Sequence, residues 1–243
     1  MRSRMARMFG VTVVLLCLAA SSGCARAEKE NGEVGLMLTD EVRDAAGLTR
    51  SEVERMPLAQ QFALLGERYD RSQDLLAEAQ RRVSSAGWKY LTRGMAPENG
   101  LFSPSGALPG SGGEDSYYLG ADRAIQLDGA VGDPADLDPV LAYFDERGWE
   151  YQVNDVAEFH HEVYADAGDG YLLEYRAQAN GWYVMSVYAG PFWGSDSVLT
   201  AELSKRTLDE AFEDEFTVPG VRVPFPAWDE PVVNPPKKNL SDR

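Results

Sequence analysis

The side chains of this 243-residue chain that could do chemistry are few, and most are carboxylates. His160 and His161 are the only histidines. They fall in a run that reads as a β-strand, where adjacent side chains point to opposite faces, so the two cannot readily grip one metal ion. The same-face sets are His160 with Glu162, and His161 with Phe159 and Val163. With no third histidine and both cysteines at the N-terminus, a zinc enzyme is poorly supported. Serine acyl transfer would need a nucleophile elbow, and no Gly-x-Ser-x-Gly occurs; Gly110-Ser111-Gly112 reads as loop. Glycine-rich phosphate or dinucleotide fingerprints are missing too. Asp128, Asp133, Asp136 and Asp138 crowd one connection without the spacing of a calcium loop, and two of them read as helix caps. No residue is therefore assigned a catalytic, cofactor-binding or metal-ligating role. A hydrolase using Glu162 or Glu174 with Asp169 stays open as the alternative.

These side chains need elements to position them, and periodicity supplies the outline. Thr49-Arg50-Ser51-Glu52 has capping-box spacing, and Pro57 suits the first turn of a long helix running to about Ala86. Leu58, Phe62, Leu65, Tyr69, Ser72, Leu76, Ala79 and Val83 recur at spacings of four and three, which puts them on one helical stripe. A sheet of the same chain is the expected partner; Ser72 and Ala79 interrupt the seam that a coiled-coil dimer would need. Ser116–Leu127 alternates as a strand, and a second helix begins at Asp138-Pro139. Gly87-Trp88-Lys89-Tyr90 and Gly148-Trp149-Glu150-Tyr151 echo each other, each with a glycine able to stop a helix before an aromatic strand. Strands are expected at Trp149–Val156, Phe159–Ala165, Tyr171–Ala177 and Trp182–Tyr188. Asp166–Gly170 and Asn180-Gly181 supply hairpin turns between the last three. The fold expected is α+β, a mainly antiparallel meander covered on one side by two helices, one of them long. Thr207–Phe216 reads as a last acidic helix, and six of the 13 prolines lie between Pro219 and Pro236. Residues 24–48 then form a tether, 49–217 a single domain and 218–243 a Pro-rich extended tail, open to solvent or laid along the domain.

The N-terminus carries an address. Arg2, Arg4 and Arg7 precede an apolar run from Phe9 to Ala20, too short to span a bilayer as a stable helix, and small residues follow. Ser21-Ser22-Gly23-Cys24 resembles the lipobox of bacterial lipoproteins, with Ser21 where leucine is usual. The resemblance implies a signal peptide over residues 1–23 and acylation of Cys24 as the first mature residue. Ala25-Arg26-Ala27 offers a second cut, which would release an unanchored protein beginning at Glu28. The body resembles small exported lipoproteins of high-GC Gram-positive bacteria, most closely from Asp169 through Gly190-Pro191-Phe192-Trp193. That resemblance implies location and fold rather than a reaction.

Charge bounds the partners. Residues 1–23 carry three Arg and no acid, so subtracting them takes the net charge from −16 to −19. So acidic a surface repels nucleic acid and anionic headgroups. Trp149, Tyr151, Trp182, Tyr183, Tyr188, Phe192 and Trp193 cluster on the expected meander, joined by Tyr117-Tyr118. Those on a face without helices would form a sticky surface for an envelope protein, peptide or glycan. The expectation is a non-catalytic binding or accessory lipoprotein, monomeric and held at the extracytoplasmic face of the cell membrane by its lipid.

Overall fold

Alternation and turn chemistry build the sheet, and the computed structural model describes it over residues 41–208 and 213–233. Helix α1 (Arg50–Arg55) starts at the Thr49–Glu52 capping box, and α2 (Leu58–Val83) follows directly after Pro57. Strands β1 (Trp88–Arg93), β2 (Glu98–Asn99) and β3 (Ser116–Gln126) come next. A 3-10 turn at Pro134–Leu137, capped by Asp133 and Asp136, leads into α3 (Asp138–Arg147). The meander is β4 (Tyr151–Ala157), β5 (His160–Asp166), β6 (Tyr171–Gln178) and β7 (Trp182–Trp193). Helix α4 (Asp196–Arg206) and β8 (Phe216–Thr217) complete the described elements. All pairings are antiparallel, in the order β4-β5-β6-β7-β3-β1-β8 with β2 beside β3.

The stripe of α2 meets the sheet as its spacing requires. Phe62, Leu65, Tyr69, Ser72, Leu76 and Ala79 are buried, against Leu119, Ala121, Met185 and Val187 of the two central strands. Each large side chain in such a seam contributes about 1.5–3 kcal/mol. Arg68, which the stripe leaves outside, is also buried. Its guanidinium donates to Tyr117 Oη, lies over the Phe192 ring and pairs with Asp44. Helices α3 and α4 both contact α2, so all three lie on one side of the sheet.

Several boundaries differ from the sequence reading. The sequence puts a tether through residue 48, yet the chain joins the domain from Val42. Asp44 accepts from the backbone N–H groups of Ala46, Leu48 and Trp193, and the Trp193 indole donates to Val42 O. The domain does not end at 217 either. Phe225 and Trp228 pack on Phe62, and Tyr69 Oη donates to Val223 O, so the Pro-rich segment is laid along one flank of α2. The helix expected at Thr207–Phe216 is not seen in its described flanks, residues 209–212 lying outside the described residues. A helix stands instead at Asp196–Arg206, where Ser195 accepts from Val198 N–H. In the Gly-Trp echo, Gly148 ends α3 in the left-handed conformation with φ of 68°, whereas α2 stops four residues short of Gly87. The signal segment, Cys17 and Cys24 lie outside the described residues.

Candidate functional site

The face of the sheet turned away from the helices is the candidate site. Strand alternation sends Tyr164 (β5), Glu174 (β6), Ser186 (β7), Asp122 (β3) and Thr92 (β1) to this face. The register sets them side by side in one row across five strands. Glu162 and Arg176 are opposite each other in the next row, and Leu172, Tyr188 and Gly120 form the row on the other side. Aromatic rings and acids therefore share the helix-free face, with Glu174 and Ser186 buried among its half-buried rings.

Hydrogen bonds tie the acids to the rings. Tyr164 Oη donates to Glu162 Oε2 at 2.6 Å, Tyr118 Oη to Glu98 Oε2 at 2.8 Å, and Thr92 Oγ1 to Asp122 Oδ2 at 3.0 Å. Arg176 Nε sits 3.0 Å from Glu174 Oε1. Burial holds the Glu174 carboxyl above the usual carboxylate range, with Glu162 adding to the rise and Arg176 opposing it. Burial, with the charges of Asp122 and Glu174, pushes the Tyr188 phenol up to about 12.

The residues singled out from sequence separate cleanly. His161 is buried on the helix side, with Nδ1 2.7 Å from Asp155 Oδ1 and Nε2 3.2 Å from Glu158 O. His160 lies on the open side, its Nε2 3.0 Å from Glu162 Oε1. Among the described residues, no three His, Cys, Asp or Glu side chains converge as metal ligands. Asp133 and Asp136 are spent on their turn, and Asp136 also receives the Tyr183 hydroxyl. Glu162 and Glu174 do share a face, but Asp169 does not join them. It sits on the β5–β6 hairpin, 3.5 Å from Arg71 and highly exposed, so neither Glu162 nor Glu174 is paired with Asp169 as the hydrolase alternative requires. Clefts of about 520 Å³ beside Arg50 and Trp193, about 430 Å³ beside Arg68 and Arg71, and about 680 Å³ beside Arg81 and Arg147 are lined by neither of these two glutamates.

The aromatics divide between core and surface. Tyr117, Tyr183, Phe192 and Trp193 are buried, and Trp149 packs edge-on against Tyr143 of α3. Tyr118, Tyr164, Trp182 and Tyr188 remain on the open side, half-buried among polar neighbours. Tyr151 projects at the β4 edge with Val153. Asp122 and Ser186 were missed from sequence. Both sit at outward-facing phase in predicted strands, but their meeting depends on a β3–β7 pairing that joins segments some sixty residues apart. Compared with known protein families, curated proteins and solved structures, the chain matches none.

Proposed function

We propose that this protein is an exported lipoprotein, acylated at Cys24, whose helix-free sheet face binds a partner at the cell envelope without turning it over. The observation that carries the binding part is the row from Tyr164 to Thr92. It is a polar, tyrosine-bearing face of the sheet that no helix covers among the described residues. The address part rests on the N-terminal order of arginines, apolar run and small residues ending in Cys24. Two measurements test the reading. Detergent-phase partitioning that moves to the aqueous phase in Cys24→Ser supports the anchor; aqueous partitioning by wild type and variant alike removes it and favours the cut after Ala27. A partner retained from envelope extract by the full chain, and lost with Tyr188→Ser, supports the face.

One observation favours a second reading. Glu174 is an acid whose carboxyl burial raises above the usual range, beside Glu162, the kind of pair that general acid–base hydrolysis uses. Turnover of wall glycan or peptide, abolished by Glu162→Gln, would establish that reading and overturn the binding one.

A further inference from the structure

Two polar oxygens on the helix-free face lack a well-formed hydrogen bond. Asp122 Oδ1 and Ser186 Oγ are both buried, and neither has a hydrogen-bond partner of sound geometry. The two residues are direct cross-strand neighbours on β3 and β7, and Ser186 is 0% exposed. Buried polar atoms are nearly always satisfied, so a pair left open side by side calls for something that brings donors to both. A single trapped water would do it. So would a ligand.

The surroundings choose between ligands. Glu174 flanks Ser186 on its other side, and Glu162 stands one row away. Arg176, the cation among them, is engaged with Glu174. An added donor here meets an excess of negative charge, so a cationic one is favoured over a neutral one. Tyr188, opposite Gly120, leans its phenol towards both Ser186 and Glu174. A Cβ on Gly120 would come within 3.5 Å of the Tyr118 and Tyr188 rings and 3.2 Å of Glu98 Oε1, so glycine is what lets two rings and a carboxylate draw together here. Aromatic rings among carboxylates suit an organic cation. A bare metal ion is less well served, since the described acids do not converge as a ligand set.

Resting on the binding reading above, we propose that Asp122, Ser186 and Glu174, with Tyr188 alongside, form a site for a primary ammonium group, the side-chain amine of a lysine on a peptide partner. An ammonium is a compact charge with three donors, matching three acceptors from adjacent strands. The polar row running on to Tyr164 and Thr92 offers the peptide backbone a surface on either side.

The test titrates the full chain with acetyl-Gly-Gly-Lys-Gly-Gly-amide and with its Nε-acetyl-lysine counterpart, following amide shifts by NMR. The expected result is saturable shifts on β3, β6 and β7 with the free amine, and at least tenfold weaker binding of the acetylated probe. Asp122→Asn should weaken the lysine peptide at least tenfold. Ser186→Ala should weaken it severalfold while raising the melting temperature, because it deletes an unsatisfied buried hydroxyl; that rise also shows the variant is folded. Equal response to both peptides, no response to either, or binding unchanged in the two variants would overturn the amine site and leave water as the occupant. An envelope partner still captured, and still lost with Tyr188→Ser, would show that only the amine assignment had failed. Loss of that capture as well would remove the binding reading with it.

Discussion

Asp44→Asn tests whether the segment from Val42 is part of the fold. The substitution keeps side-chain volume, so it opens no cavity. The Asp44 side chain is fully buried and accepts three backbone N–H groups, two on Oδ1 and that of Trp193 on Oδ2, while Arg68 stands 3.8 Å from Oδ2. Asparagine has one acceptor oxygen. If it serves Ala46 and Leu48, its NH₂ faces the Trp193 N–H and the arginine, donor against donor. Arg68 would keep Tyr117 and the Phe192 ring but lose its counter-charge. Breaking one side of a buried pair costs about 3–5 kcal/mol, and that figure includes the orphaned amide. For a domain of this size each kcal/mol moves the melting temperature by about 2–4 °C, so the drop should be roughly 6–20 °C. Circular dichroism measures the global transition, and tryptophan fluorescence reports on Trp193, whose indole is bonded to Val42 O. A variant melting within about 2 °C of wild type would refute the reasoning. So would one whose fluorescence changes while the global transition stays put, because the segment would then be peeling from a domain that does not need it.

Other perturbations read other parts of the molecule. Leu65→Asp places a charge without a partner at a fully buried position of α2 and should unfold the domain; a variant that melts like wild type but loses a dimer on size-exclusion would show instead that the stripe faces a second chain. Phe225→Ala removes a half-buried ring from Phe62 and Tyr69 and should cost roughly 2–3 kcal/mol by urea unfolding, no change meaning that the segment does not hold. Gly66→Ala would put a Cβ 2.8 Å from Phe225 Cδ1, so its cost should shrink in the Phe225→Ala background, and strict additivity would contradict that contact. Glu174 has a raised carboxyl, so the folded chain keeps a proton the unfolded chain has released, and stability from this group falls as pH climbs above the ordinary glutamate value of about 4.3. Glu174→Gln should flatten that fall between acidic and neutral pH, and an unchanged slope in urea midpoints would sink the assignment.

Local patterns were legible and long-range ones were not. The stripe of α2, the capping box at Thr49, the Asn180-Gly181 hairpin and the Gly148 stop are all written within a few residues and survive in the structure. Arg68 broke the stripe because its burial is decided by Asp44 and Phe192, which come from opposite ends of the chain. Helix α4 carried usable signals, Ser195 as cap, Asp196 in the first turn and Lys205-Arg206 in the last, but its weak apolar face hid it. Val42–Leu48 has no periodicity at all, since its hold is a few hydrogen bonds: Asp44 accepting from Trp193 N–H, Val42 O accepting from the Trp193 indole, and Ala45 N–H donating to Pro191 O. At the site, Glu162 and Glu174 were nameable as acids on predicted strands. Asp122 and Ser186 became neighbours only through the β3–β7 register.

The last turn of the fold sets a clock on how it is reached. Phe225 and Trp228 close over Phe62, so one flank of α2 is finished by side chains made long after the helix itself. A ribosome adds about 5–20 residues each second, so the stretch from Val83 to Phe225 takes roughly 7–30 s to synthesise. Through that interval α2 lacks its cover, and the sheet beneath it lacks β7 until late in the chain. A nascent chain of this protein therefore emerges with its longest amphipathic helix only partly covered. It has to be kept from its neighbours until Phe225 and Trp228 are available, which makes docking of that segment, rather than formation of α2, the step that completes the domain.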